Sequence, residues 1–472
     1  MKIRNPRSGA HDYEIAPFDA NALAIRAGEM RDLQIGWSAY SPSQRCKIML
    51  KFADAIERHR EAIAHALILD TGRAAISHVE IDEVLGMITR CEGAAPFQIA
   101  RASAKDRQTS IANISTSTQL VPYPLIGIIS PWNFPLMLAL MDAIPALAAG
   151  CSVIVKPSEI TPRFIRPLMA AIAEVEELPL TVIEGDGATG RAMIPLIDYL
   201  AFTGSVATGR VVAVAAATAF IPASLELGGK DPMIILASAD PVVAAEIALR
   251  ASVFNSGQAS QSIERVYVAR AIAEPFLVAL VQQAKAVRFN YPDINSGDIG
   301  PLISVAQADI VQAQIDDARE NGAHVLAGGQ IETLGGGKYL RPTVLASVTP
   351  DMRVMAEETF GPVIPVTLFD SSDEAIRMAN DGIYGLSAAV IAGSFKEAEV
   401  VGAQLNVGAV SINDGALTSI VWEAEKSSFG LSGLGASRMG ESGLLRFFRK
   451  RAMIRQTGAA LPLSAYGEGV GK

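Results

Sequence analysis

Apolar side chains recur at three- and four-residue spacing from Ile48 through Met49, Phe52, Ile56 and Ile63 to Leu67, behind the capping cluster Ser41-Pro42-Ser43. Residues 44–69 therefore read as a helix that Thr71-Gly72 ends, and a second helical stretch covers about 76–100. From 108 to 122 the character switches to alternating β-branched positions (Thr109, Ile111, Ile114, Thr116, Thr118, Leu120), the pattern of an exposed hairpin of the kind that pairs with another subunit. Short apolar strands then alternate with helices: strands at 126–130, 152–155, 180–184 and 199–202, helices from about 135, 162 and 190 and over 207–217. A second series follows Gly229, with strands near 232–236, 265–268, 323–326, 363–368, 387–391 and 408–412. The fold class is α/β, with parallel sheets and crossover helices in two units that meet near Gly228-Gly229. Ligands belong at the carboxyl ends of such strands, where the glycine-rich and charged clusters fall.

Length and charge narrow the function. The 472 residues exceed one small module, at roughly 150 residues per domain. Lys and Arg total 40 against 49 for Asp and Glu, a net charge of −9, so there is no basic field to hold nucleic acid. Mean hydropathy of +0.29 raises the question of a membrane span. The apolar runs are broken, though: 134–149 contains Asp142 and two prolines, and the run from Val211 stops at Pro222, short of the roughly 20 residues a span needs. The basic N-terminus has no apolar stretch behind it, so no secretory signal is expected. Three dispersed cysteines, Cys46, Cys91 and Cys151, make neither a disulfide framework nor a metal site. A soluble cytoplasmic protein without metal is expected, with a polar, glycine-rich and mobile end at 467–472.

Several turns carry chemistry. Gly185-Asp186-Gly187-Ala188-Thr189-Gly190 has dinucleotide spacing, but the next strand ends Ala201-Phe202-Thr203 without the acid such a site wants, so a tight turn is the simpler reading. Gly204 and Ser205 open a helix whose amides can face a phosphate. Asn133 stands in Pro131-Trp132-Asn133-Phe134-Pro135, rigidly held where it can donate to a developing oxyanion. Lys156-Pro157-Ser158-Glu159 offers a cation and a carboxylate to ribose hydroxyls, and Glu226 is a lone carboxylate in apolar surroundings beside Gly228-Gly229. Phe254-Asn255-Ser256-Gly257-Gln258-Ala259-Ser260 and Glu358-Thr359-Phe360-Gly361-Pro362 complete the set.

In the order and spacing of these motifs, with Lys156 23 residues after Asn133 and position 260 34 residues after Glu226, the chain from about 18 to 455 resembles the NAD(P)-dependent aldehyde dehydrogenase superfamily. The resemblance implies a Rossmann-like NAD-binding domain (1–107 and 123–226), an α/β catalytic domain (227–445) and a small β oligomerisation element (108–122 and 446–462). It makes Asn133 an oxyanion donor with the backbone N–H of 260, and Glu226 the base for the deacylating water. Lys156 and Glu159 would hold the adenosine ribose, with Gly204 and Ser205 at the pyrophosphate, Ser158 and Gly187 among the other cofactor-binding residues and Trp132 and Leu227 lining the cofactor site. Glu358, Phe360 and, in a looser match, Gln307 would reach the nicotinamide ribose and ring. Glu159 favours NAD over NADP, because a carboxylate accepts from a 2′-hydroxyl and repels a 2′-phosphate.

One position departs. The superfamily's motif is Gly-Gln-x-Cys, with the cysteine attacking the aldehyde, and here the residue is Ser260. An unassisted hydroxyl supplies essentially no anion at neutral pH, so the chain as written should hardly oxidise. Either Ser260 replaces a nucleophilic cysteine in an inactivated enzyme, or the protein is a naturally non-oxidising relative, a binding protein or weak esterase. The substrate funnel implied by the resemblance takes Leu138, Met141, Asp142, Gln261 and the segment 417–429 with Trp422. With no arginine among those positions, a hydrophobic or aromatic aldehyde fits best, and Asp142 would meet a substrate hydroxyl or amine or a backbone amide. A homodimer or homotetramer is expected.

Overall fold

The computed structural model describes residues 1–466 and 468, so the terminal stretch expected to be mobile lies, apart from 468, outside the described residues. Two sheets organise the chain. The first has six strands in the order Gly433–Leu434, Ala223–Glu226, Tyr199–Thr203, Leu125–Ile129, Ser152–Lys156, Leu180–Val182, all parallel except the added edge strand Gly433–Leu434. The second has seven, ordered His324–Ala327, Thr343–Ala346, Val363–Phe369, Ile263–Ala269, Asp231–Ile235, Ser387–Ile391, Ala409–Ile412, parallel but for the pair at the His324–Ala327 edge. Central strands such as Ser152–Lys156, Asp231–Ile235 and Ile263–Ala269 are buried along their whole length, as expected when helices cover both faces.

The helix expected over 44–69 is two helices, Pro42–Arg58 and Arg60–Thr71, broken at His59, with a Ser41/Gln44 capping box at its start and left-handed Gly72 at its end. The second stretch runs Ala74–Ala102. A further helix, Ala20–Ala39, has no counterpart in the periodicity reading; Asp19 caps it and Leu23, Ala27, Met30 and Trp37 are its buried positions. The hairpin expected within 108–122 shrinks to Arg107–Gln108 against Ser115 and Thr116. The main partner of Ile114–Pro122 is instead the C-terminal strand Phe448–Gln456, antiparallel from Phe448↔Pro122 to Gln456↔Ile114. Alternation marks a half-exposed strand but says nothing of its mate.

Residues 417–439 tie the halves together. Phe429–Gly430 pairs with Tyr384–Gly385 beside the second sheet, then Gly433–Leu434 pairs with Leu225 and Glu226 in the first, and the Leu227 N–H donates to the Ser432 carbonyl at 2.9 Å. No helix among the described residues is long and apolar enough to cross a membrane.

Candidate active site

Ser260 ends a loop held in an unusual shape. Asn255, Ser256 and Gly257 all have positive φ (56°, 56° and 70°), a strain of order 1–3 kcal/mol for each non-glycine residue. Hydrogen bonds offset it. The Asn255 Nδ2 donates to the carbonyls of Asn133 (3.2 Å) and Gln258 (3.0 Å), and Ser256 Oγ donates to the Gly300 carbonyl at 2.9 Å. The Gln258 amide donates to the Asn255 and Pro301 carbonyls and accepts from the Ile303 N–H. Gly257 has no alternative, since a Cβ there would fall 2.2 Å from the Gly361 carbonyl. No hydrogen bond engages the Ser260 N–H among the described residues.

Asn133 is buried in the turn between strand Leu125–Ile129 and helix Pro135–Leu140, and its side-chain amide spends one N–H on the Gln258 carbonyl at 3.0 Å. Among the described residues the second N–H is uncommitted and Oδ1 has no partner. Two residues that no sequence motif marks hold this turn. Arg73 donates to the Asn133 carbonyl at 3.1 Å and to Asn255 Oδ1, and pairs with Glu80 at 3.4 Å. Glu80 Oε2 accepts the Leu136 and Met137 N–H groups at 3.0 and 3.1 Å, capping the helix after the turn. Burial pushes the Glu80 carboxyl up to about 7, against the pull of Arg73. The one available signal was an acid in the buried row Ser77, Glu80, Ile81, Val84.

Glu226 lies at the carboxyl end of Ala223–Glu226, accepts from Ser428 Oγ at 3.2 Å and stands 4.0 Å from Lys426 Nζ. Asp142 differs from its expected role. Its carboxylate is buried and taken up by Arg438 (2.8 Å) and Arg446, and against burial, which raises it, the two guanidiniums hold the group below its ordinary value. It meets neither substrate space nor a backbone amide. The expectation that no arginine faces the substrate is also corrected, because Arg438 and Lys426 both line the cavity. Both come from the segment that folds back from the second sheet, which local sequence does not place.

Apart from Asp142, the residues given catalytic, cofactor or substrate roles in the sequence line one cavity of about 900 Å³, with Ser260, Asn133 and Glu226 among apolar Leu138, Met141 and Trp422. Among the described residues no Cys or His lines it. The three cysteines lie elsewhere, and burial raises the Cys46 thiol to about 11 and those of Cys91 and Cys151 further still. At the other end Lys156 Nζ donates to Glu159 (3.3 Å) and to the Gly185 and Asp186 carbonyls, while Asp186 caps helix Gly187–Met193. Gly204 and Ser205 lead into helix Val206–Thr218, whose N-terminus opens on the cavity. Gln307 Nε2 is bonded to the Thr359 carbonyl at 2.8 Å, and Trp132 meets Phe360 edge-on at 5.4 Å.

Glu358 sits where a Cβ on Gly228 would fall 2.2 Å from its Oε2. Burial, then the neighbouring Glu264, pushes its carboxyl up to about 8, and burial raises Asp231 to about 7. Lys230 neutralises Glu264 at 2.8 Å but not all three acids. Acids whose folded pKa is raised keep protons that the unfolded chain has released, so stability falls as pH climbs past the unfolded values near 4 until it passes about 8. The melting temperature of the free protein is thus expected to drop between about pH 5 and 8, and Glu358→Gln to flatten the upper part of that fall. A flat profile would contradict this assignment.

The chain is similar along nearly its whole length to known proteins. The Aldehyde dehydrogenase family model matches residues 1–453. A solved structure, "Putative Aldehyde Dehydrogenase PutA" from Anabaena variabilis, is similar with a TM-score of 0.96 and 48% identity over 98% of each chain. The structure of betaine aldehyde dehydrogenase from Staphylococcus aureus in complex with NAD+ is similar at TM-score 0.90 and 30% identity, covering 98% of this chain and 92% of that one. A Mycolicibacterium smegmatis protein named "Putative succinate-semialdehyde dehydrogenase", with NADP(+) in its name, is 37% identical over 434 residues, 91% of this chain and 83% of that protein.

Proposed function

The chain belongs to the aldehyde dehydrogenase family, and from that premise we propose that it binds an aldehyde and NAD(P) in this cavity while Ser260, in the nucleophile's place, holds oxidation back. The observation that carries the reading is the company Ser260 keeps: two uncommitted N–H donors, its own and that of Asn133, and a carboxylate, Glu226, with no thiol in the same cavity. A thiolate at 260 would add to the aldehyde carbon, and the donors would hold the oxyanion. Once a hydride has passed from that carbon to the cofactor, a thioester is left, and Glu226 would take a proton from the water that hydrolyses it to the carboxylic acid. No hydrogen bond among the described residues joins the Ser260 hydroxyl to a base that would start this, and no histidine among them lines the cavity to make the Ser-His pair of a weak esterase. The direct test is Ser260→Cys: no reduced cofactor over a broad aldehyde panel would overturn the reading in favour of a naturally non-oxidising relative.

The residues present fit a dinucleotide. The N-terminus of Val206–Thr218 suits a pyrophosphate. Gly187 faces open space, Glu159 has an oxygen free for ribose hydroxyls, and Glu358 stands where a second ribose would lie. When bound, the nicotinamide supplies the hydride acceptor. Glu159 favours NAD; the second reading, NADP, has Arg191 behind it, which lines the same end and has no acidic partner among the described residues. Fluorescence titration should give NADH at least about tenfold tighter binding than NADPH, roughly 1.4 kcal/mol, with Glu159→Gln closing the gap. Equal affinities would refute the preference.

The exposed strand Phe448–Gln456 on Ile114–Pro122 is the proposed contact between subunits of a homodimer or homotetramer in the cytoplasm.

A further inference from the structure

Glu264 is buried four residues past Ser260, on strand Ile263–Ala269, and is not among the residues that line the cavity. Its carboxylate nevertheless reaches the turn that does line it. Oε2 accepts the Thr359 N–H at 2.8 Å and Oε1 accepts the Phe360 N–H at 2.7 Å, so two consecutive amides share one carboxylate. Phe360 has a φ of 54°, in the left-handed region that bulky residues rarely enter, and the turn therefore needs support from outside itself. Lys230 Nζ completes the hold, donating to Glu264 Oε2 at 2.8 Å and to Thr359 Oγ1 at 2.7 Å. Gln314 accepts from Thr359 Oγ1 at 2.7 Å and donates to the Glu358 carbonyl at 3.2 Å. Glu264, Lys230, Thr359 and Gln314 are all buried and off the cavity, whereas Glu358 and Phe360 line it. A buried carboxylate is a costly way to fill a strand position, and this one also pushes the neighbouring Glu358 carboxyl up.

We propose that Glu264 is a positioning residue for the nicotinamide half of the cofactor: its two oxygens hold the Thr359 and Phe360 amides in the left-handed turn that sets the Phe360 ring and the Glu358 carboxyl on the cavity. This rests on the reading that NAD(P) lies with its nicotinamide half at Glu358 and Phe360. The strand that carries Glu264 is also the one that leaves the Ser260 loop, so a single element fixes the place of the nucleophile position and of the wall that supports the hydride acceptor.

Binding of NADH and of ADP to the whole chain separates the two ends of the site, since both ligands carry the adenosine and pyrophosphate and only NADH carries the second ribose and the ring. Glu264→Gln, which leaves one acceptor for two N–H groups, is expected to weaken NADH at least about tenfold and ADP less than about twofold, and to return the emission of bound NADH toward that of the free molecule. Glu264→Asp keeps the charge against Lys230 and draws the carboxylate back from the turn; it should shift NADH in the same direction by a smaller factor, and it carries the comparison if Glu264→Gln does not fold. Phe360→Gly supplies the test of mechanism. Glycine takes a positive φ unaided, so in that background the change at Glu264 should cost NADH less than about threefold. NADH affinity indifferent to Glu264, NADH and ADP weakened alike, or a cost undiminished by Phe360→Gly would overturn the inference while NADH binding to the unaltered chain left the cofactor site standing. Failure of NADH to bind the unaltered chain would overturn both.

Discussion

Ser260→Cys is expected to raise formation of reduced cofactor by at least about a thousandfold over the chain as it stands. A thiol with pKa about 8.5 is a few per cent thiolate at neutral pH, and thiolate is an intrinsically strong nucleophile, whereas serine without a base supplies neither. Nothing has to be rebuilt around it. The loop's left-handed turn is fixed by Asn255, Ser256, Gly257 and Gln258, and the side chain at 260 is not among the groups that hold it. If the oxyanion donors are as described, adding Asn133→Ala to the thiol form should then cost about 10²–10³ in kcat. Ser260→Ala, the control, should bind cofactor and stay silent. Stopped-flow absorbance of reduced cofactor with neutral, aromatic and acidic aldehydes reads all three chains, and a thiol form as silent as the control would sink the proposal.

Arg73→Met should be among the most damaging single changes away from the cavity, at about 3–5 kcal/mol of unfolding free energy, because it leaves buried Glu80 without its cation and the Asn255 Oδ1 without its donor. Arg73 also serves Asn133 and Asn255 at once, tying the oxyanion turn to the nucleophile loop. Adding Glu80→Gln should recover part of the loss, as removing both members of a buried pair costs less than removing one. In the thiol form Arg73→Lys should lower kcat more than it raises KM, the mark of positioning rather than of substrate contact. Urea melts showing a loss under about 1 kcal/mol for Arg73→Met would contradict this role.

The sequence made legible what is local. Strands such as 152–155 and 387–391 emerged within a residue or so of Ser152–Lys156 and Ser387–Ile391, because buried parallel strands are short apolar runs between glycine and proline. Motif residues such as Lys156 and Glu159 sit three apart and meet at 3.3 Å, so their pairing too could be read from spacing. What was hidden lies in partners distant along the chain. Asp142 read as a polar group facing substrate because Arg438 and Arg446, which consume it, follow 296 and 304 residues later. Helix Ala20–Ala39 escaped notice because its buried positions include small Ala27 beside exposed Ile25 and Ile35, which blurs its stripe. The alternation in 108–122 did not name Phe448–Gln456 as the mate of Ile114–Pro122, which only the resemblance grouped with it, because an open edge declares that it can pair, not with what.

The segment that pairs with Tyr384–Gly385 on one side and with Leu225–Glu226 on the other also bears on how molecules come and go. A hinge that swung the two sheets apart would have to unzip both short ladders and the Leu227–Ser432 bond together, at a place where Glu226 itself is one rung. Traffic through the cavity is thus a matter of rotamers and loop breathing at its mouth, on the nanosecond-to-microsecond scale of side chains and loops, rather than of slow domain opening. Release of product and cofactor would then be paced by the grip of individual side chains, and softening one of them would speed exchange without loosening the frame.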